Sequence, residues 1–341
     1  MPDNQPDRTR AQALIWAWFV GLALIWGSSF LFIKIGLDEG LPPITLVAYR
    51  LVIATVFLAV LVRLTGGRVP RSADALRRLA ILALLNVAIP FVLITWGAQI
   101  IPSAVTSIFN ATVPLFTIVI AAFVLHDEPI TLNRLAGLGI GFAGAVLLAS
   151  PNLGGSSGSE GTDSGSALLG ELAVAAGALS YAVASVYARH RITGRPLVDD
   201  PRTGPRAPTP VEIALPQVAM AGVLILALTL TVERPPSGLF HVPSSPAAWF
   251  AVTWLGVLGS GVAYLLFFRL IRSWGATRTT LVTYAMPVVG IVLGVIVLSE
   301  TLHPAEIAGA VLILGGLLLA NASVGQRRLF GRAPATAPAR E

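Results

Sequence analysis

Apolar residues run along this chain in ten long blocks, at 14–35, 44–64, 79–97, 103–125, 132–149, 168–188, 211–231, 248–270, 278–298 and 305–323. A helix needs roughly 20 such residues to cross a bilayer, so the pattern predicts ten transmembrane helices. Turn and charge signals break the blocks, as in Gly40-Leu41-Pro42-Pro43, Thr65-Gly66-Gly67-Arg68 and Glu233-Arg234-Pro235-Pro236. The first block is longer than the apolar core of a signal peptide and no A-x-A site follows it, so it reads as a retained helix. Residues 151–166, rich in Gly and Ser, read as a flexible linker between two groups of five helices. The expected layout is a tail at 1–13, a first unit at 14–149, a linker at 150–167, a second unit at 168–323 and a disordered tail at 324–341. Residues 191–210 form a Pro/Arg-rich loop.

Composition agrees with lipid as the solvent. Apolar residues make up 55% of the chain and charged ones only 12%, against about a quarter in a soluble domain. Cysteine is absent, which excludes disulfides and thiolate metal sites. His126, His190, His241 and His303 are scattered, so no metal site is expected. The net charge of +6 does not point to nucleic acid, because the basic residues lie between apolar blocks and not on one face. Their placement instead sets an orientation. With the N-terminus in the cytoplasm, 20 of the 23 basic residues fall on the cytoplasmic side and only Arg234 falls outside. The positive-inside rule then puts both termini in the cytoplasm of a bacterial (inner) plasma membrane.

The two groups of helices repeat one another. Ser103 to Pro114 ends in a mid-block proline, and Ala276 to Pro287 does the same at equal spacing. Acidic ends follow at Asp127-Glu128 and at Glu300, then Gly137 and Gly144 against Gly309 and Gly316. Pro43 with Arg50 matches Pro210 with Gln217, and Trp26-Gly27 with Lys34 matches Tyr181-Ala182 with Arg189. Corresponding blocks lie five apart, an odd number, so they cross in opposite directions. The fold class expected is an all-α membrane protein of two inverted five-helix repeats, a plan that places solute sites near the midplane.

On these residues the chain resembles the EamA-like branch of the drug/metabolite transporter superfamily, over about residues 14–323. The first half carries Trp26-Gly27, Lys34, Pro43 and Arg50. Both halves carry the proline, glutamate and paired-glycine pattern, at Pro114, Glu128, Gly137 and Gly144 and at Pro287, Glu300, Gly309 and Gly316. Leu125-His126-Asp127-Glu128 is one residue longer than Leu298-Ser299-Glu300, which leaves Asp127 and Glu128 both candidates for the family position. The resemblance implies a ten-helix exporter of small metabolites, such as amino acids, or of drugs. It does not specify the solute.

Candidate solute contacts come from polar residues inside the blocks. Ser103, Ser107, Asn110 and Pro114 share one helical face, and Thr280, Thr283 and Pro287 repeat its last three positions. Each proline frees a carbonyl one turn back, which needs a partner or a wet cavity. The two stripes either face each other across a cavity or pack helix on helix. Thr117 is expected to bond back to its own helix. Trp26, Ser28 and Ser29, with Tyr181 and Ser185, would suit an amphipathic organic solute, or the rings simply pack. Tyr264 and Tyr284 are similar candidates, and Asn86 with Pro90 another. Arg50 lies one turn into its block, where a charge either marks a site or snorkels outward. Lys34 and Arg189 read as snorkelling anchors. Glu128 and Glu300 are gate or proton groups in one reading and helix caps in the other. The glycines supply close helix contacts, within the chain or in a homodimer. The residues assigned to the solute are Trp26, Ser29, Arg50, Asn86, Ser107, Asn110, Pro114, Tyr181, Thr280, Thr283, Tyr284 and Pro287.

None of the 17 acidic residues lies near a block centre, and Glu171 and Glu212 fall within a turn of a predicted helix start. Proton coupling through the protein is therefore not expected. An intramembrane enzyme would need paired Asp, H-E-x-x-H or Ser with His within the membrane, and none is present. A carrier of phosphate-bearing sugar conjugates would want several basic groups, where only Arg50 and Lys34 offer themselves. The expected partners are a small solute, neutral, zwitterionic or apolar, and the bilayer. No cofactor is implied.

Overall fold

The computed structural model describes residues 5–124, 130–153, 164–192, 194–201, 204–236, 238, 240–274, 282–321 and 328–330. Helix α1 spans Gln5–Asp38 and ends at Gly40, whose φ of 85° only glycine adopts freely. Helix α2, Pro43–Leu64, starts on a proline, where the missing N–H has no helical role. Helix α3 runs Ala73–Ala98. It begins before its apolar block because Ser72 caps it, accepting from the Ala75 N–H at 3.3 Å. Its polar first turns are held on the surface by Asp74, which pairs with Arg77 at 3.1 Å and Arg78 at 2.7 Å.

The two mid-block prolines act differently. At Pro114 the helix breaks into α4, Ser103–Asn110, and α5, Val113–Val124. The Thr112 hydroxyl donates to the Phe109 carbonyl at 2.6 Å in the break. Thr117 donates to the Val113 carbonyl at 2.9 Å, as expected. Pro287 instead sits inside an unbroken helix. The rest of the chain gives α6 at Leu132–Leu153, α7 at Ser164–Arg191 and α8 at Pro210–Val232. Helix α9 runs through Pro246–Thr253, Trp254–Val262 and Ala263–Trp274. Helices α10, Val282–Leu298, and α11, Pro304–Asn321, follow. Glu171 thus lies well inside α7 and is 1% exposed, deeper than its distance from the apolar block suggested.

Among the described residues eight helices are long and apolar enough to cross a membrane, and Ala285–Leu298 and Pro304–Ala320 are shorter apolar ones. Large apolar side chains, among them Val56, Val146, Val223, Ile296 and Val311, stand exposed on the sides of the bundle. In water such a surface drives association, and in lipid it is simply solvated. The chain is a multi-pass membrane protein.

Small residues set how closely the helices approach. In the α6–α11 pair, a Cβ built at Gly144 would lie 2.8 Å from the Gly309 carbonyl oxygen, and one at Gly309 would lie 2.7 Å from that of Gly144. One at Gly316 would lie 2.6 Å from the Gly137 oxygen. The glycines expected to make close contacts therefore make them within the chain.

Carboxylates tie the helix ends together. Glu233, at the end of α8, accepts from the Ile44 and Thr45 N–H groups of α2 at 3.0 and 2.7 Å. At the same end of the bundle Glu300 accepts from the Ser103 and Ala104 N–H groups of α4, at 2.7 and 3.0 Å. A carboxylate at a helix N-terminus meets both free donors and the positive end of the helix dipole. Glu300 is thus a helix cap in this structure. At the opposite end Glu212 accepts from Arg206 at 2.7 and 2.8 Å and from the Arg68 N–H at 2.6 Å. Glu212 also raises the Arg206 guanidinium above its ordinary value. Arg206 belongs to a hairpin of β2, Val198–Asp200, and β3, Gly204–Arg206. In the tail expected to be disordered, Arg328–Phe330 form a strand paired antiparallel with Ile130–Thr131. Ile130 and Thr131 are branched residues that suit an extended pairing. Asp127 and Glu128 lie outside the described residues.

Candidate solute site

Two helices lose their regular pitch at the centre of the bundle. α3 becomes a π-helix at Leu84–Ala88 and α9 at Trp254–Val262. A π turn widens the helix and takes carbonyls out of the ordinary ladder, and it recurs at functional sites. Side chains from elsewhere in the fold take up those carbonyls. Trp26 Nε1 of α1 donates to the Gly259 carbonyl at 3.3 Å, and Ser180 Oγ of α7 donates to the Leu85 carbonyl at 2.7 Å.

Polar side chains converge on the same two turns. Arg50 Nε of α2 donates to Ser260 Oγ at 2.8 Å. Asn86 Nδ2 donates to Gln217 Oε1 of α8 at 3.3 Å. The Tyr264 hydroxyl, one turn beyond Ser260, is hydrogen-bonded to Asn86. Arg50 is 6% exposed, so it points into the bundle and does not snorkel. Its guanidinium carbon stands 3.9 Å from the centre of the Phe91 ring. Tyr181 and Tyr264 lie within its electrostatic reach. Tyr181 packs edge-on against Phe91 at 6.5 Å, and Trp26 packs on Phe267 at 5.4 Å. Ser29 Oγ donates back to the Ile25 carbonyl at 3.0 Å and faces Gly259.

The structure therefore brings Trp26, Ser29, Arg50, Asn86 and Tyr181 into one neighbourhood. It adds Phe91, Gln217, Gly259, Ser260 and Tyr264. Of these additions only Gln217 and Tyr264 carried a signal in the block pattern. Gly256, Gly259 and Gly261 around Ser260, to which the block pattern gives no weight, are a signal that could have found this turn, because clustered glycines loosen a helix. Ser185 stands on the exposed side of α7, bonded to the Tyr181 carbonyl at 2.9 Å.

The α4 stripe meets α10 directly at its first two hydroxyls. Ser107 is fully buried, and a Cβ built at Gly290 would lie 2.5 Å from its Oγ. Ser103 lies against Gly294, beside Glu300. Further along the stripe, Asn110 Oδ1 is buried and has no hydrogen-bond partner among the described residues. Pro114 and Thr283 are half-buried, and Pro287 is buried. Thr280 lies outside the described residues, and Tyr284 is described through its backbone in α10 only. A separate recess of about 280 Å³ opens between α1, α9 and α10, lined by Leu24, Ser28, Trp254, Val288 and Val292 among others. Its rim is apolar and faces the outside of the bundle.

Hydroxyl, amide, indole and guanidinium groups on an aromatic floor can bind a small amphipathic solute. Among the described residues no three His, Asp or Glu side chains are grouped as a metal site.

Residues 13–150 and 168–322 each match the EamA-like transporter family, and the chain belongs to it. It is 29% identical over 322 residues to an uncharacterized inner membrane transporter, YedA, of Escherichia coli (strain K12), covering 93% of this chain and 92% of the relative. It is 27% identical over 319 residues to a protein of Streptantibioticus cattleyicolor named a probable terminal-alkyne amino-acid exporter, covering 93% and 95%. A solved crystal structure superposes with a TM-score of 0.61 at 21% identity, over 90% of this chain and 96% of that one, and shares its fold. The protein is a membrane transporter of this family.

Proposed function

We propose that this protein is a secondary carrier that exports small organic solutes, such as amino acids or drugs, by alternating access. In this reading the two short apolar helices also cross, giving ten crossings in two inverted five-helix units. The membrane is the bacterial inner membrane, and both termini are cytoplasmic. The observation that carries the proposal is the pair of hydrogen bonds at the π turns. Arg50 of the first unit reaches Ser260 of the second, and Asn86 of the first reaches Gln217 of the second. Arg50 and Gln217 are repeat mates, so each spans the boundary between units from an equivalent place. Polar groups joined across that boundary suit a site whose two walls move relative to each other. The exporter name of the Streptantibioticus relative supports an amino-acid-like cargo. The unpartnered Asn110 oxygen is a further group with bonding capacity to offer a solute.

The test compares solutes released by cells overexpressing the wild type with those released by cells carrying Pro114→Leu, using untargeted mass spectrometry. At least one small organic solute is expected in excess with the wild type only. With that solute, Asn110→Ala and Thr283→Ala are expected to lower export about tenfold each, the equivalent of one buried hydrogen bond, at unchanged expression. Unchanged export in both variants would assign the stripes to helix packing.

A further inference from the structure

Arg50 carries a charge that its surroundings do not neutralise. Among the described residues its one hydrogen bond goes from Nε to the neutral Ser260 hydroxyl, and its one ring contact is with Phe91. The nearest ionisable groups acting on it are Tyr181 and Tyr264. No described acid is among the charged groups acting on Arg50, and several described acids are engaged elsewhere. Asp38 pairs with Lys34, Asp74 with Arg77 and Arg78, and Asp200 and Glu212 with Arg206. Glu233, Glu300 and Glu306 bond to backbone N–H groups at helix starts. A desolvated ion costs more than one neutral hydrogen bond and one cation–π contact return, so the site is short of an anion.

At Gly259 the backbone of α9 packs closely beside the guanidinium. A Cβ built at Gly259 would lie 3.7 Å from Arg50 Nη2 and 3.2 Å from Ser29 Oγ. Ser29 Oγ already donates to the Ile25 carbonyl, which leaves the guanidinium as the charged donor here, and the Trp26 indole, bonded to the Gly259 carbonyl, stands beside it. A guanidinium offers two parallel N–H groups that match a carboxylate.

We propose that Arg50 is the anchor for a carboxylate on the transported solute, so that the cargo supplies the counter-ion that its neutral partners Ser260 and Phe91 do not. The cargo class is a small monocarboxylate with an apolar or aromatic body, amino acids included. This rests on the carrier reading above and narrows its expected solutes to those with an acid group.

The experiment takes the solutes exported by wild-type cells and applies two measurements. First, Arg50→Gln is expected to lower their export at least about tenfold, as loss of a charge-assisted hydrogen bond does, at wild-type expression and with a monodisperse detergent-purified protein. Second, uptake of each labelled solute into inverted vesicles of the wild type is competed with that solute and with its own carboxamide. The carboxamide is expected to compete at least about tenfold less well, and this arm needs no variant to fold. Exported solutes without an acid group, a carboxamide that competes equally, or full export by a well-folded Arg50→Gln protein would each overturn the carboxylate site and leave the carrier standing. If the wild type exports nothing above the control, the carrier reading falls and this inference with it.

Discussion

Gly144→Leu is expected to remove most of the folded protein. The α6–α11 pair has no space for a side chain there, since the first added carbon would lie 2.8 Å from both the Gly309 oxygen and the Ile313 nitrogen. These atoms are backbone and cannot rotate away, so the helices must separate. Lipid tails give helices no hydrophobic reason to associate, and close backbone packing is what holds such pairs together. Forcing methylenes into a filled contact costs about 1–3 kcal/mol and sometimes more, and separation also forfeits the neighbouring contacts at Gly137 and Gly316. Size-exclusion chromatography of detergent extracts, followed by a fluorescent fusion, measures this. Loss of the monodisperse peak is expected, while Gly139→Leu, where a Cβ meets nothing within 4 Å, keeps it. Equal peaks for the two variants would mean that α6 and α11 are not welded at these glycines.

Glu300→Ala is expected to open one end of the bundle. The carboxylate holds the first two N–H groups of α4, and it lies against Gly294 in the same seam where Ser107 meets Gly290. With the orientation proposed above, that end is the outer one, and Glu233 closes the neighbouring α2–α8 pair there. The structure then corresponds to a carrier shut on its outer side. Leaving two donors unmatched in a buried setting costs about 1–3 kcal/mol, enough to move a closed-to-open ratio by about tenfold or more. The chain has no cysteine, so one placed at Ser107 reports alone. Ser107→Cys by itself is expected to react slowly with an impermeant maleimide added outside. With Glu300→Ala it is expected to react about tenfold faster. Equal rates would mean that the cap does not hold the seam shut.

Much of this architecture is legible in the chain itself. The apolar blocks place most of the described helices to within a few residues, and they miss by more where a helix runs past its apolar stretch, as α1 does by starting at Gln5 within the expected tail and as α3 does behind the Ser72 cap. The matching proline positions do not reveal that Pro114 breaks its helix while Pro287 leaves its own intact. That difference depends on the turn at Ala111 and Thr112, which local spacing does not encode. Trp26, Ser29, Asn86 and Tyr181 are visible as polar or aromatic residues at mid-block. Arg50 is visible too, but its direction is not, because a snorkelling arginine and an inward one occupy the same position in sequence. Its inward course is decided by Phe91 and Ser260, which lie in helices distant along the chain. The π turns leave almost no trace in hydropathy, since their residues are as apolar as their neighbours. Only the glycines around Ser260 hinted at one of them.

A carrier of the kind proposed above exposes its central site to one side at a time. Counterflow tests that most directly. The purified full chain is placed in liposomes loaded with an excess of the unlabelled exported solute, and a trace of labelled solute is added outside. A carrier exchanges the two, so label is expected to accumulate transiently above its equilibrium level and then decay. Entry of label that only approaches equilibrium, with no overshoot and no saturation, would contradict the account.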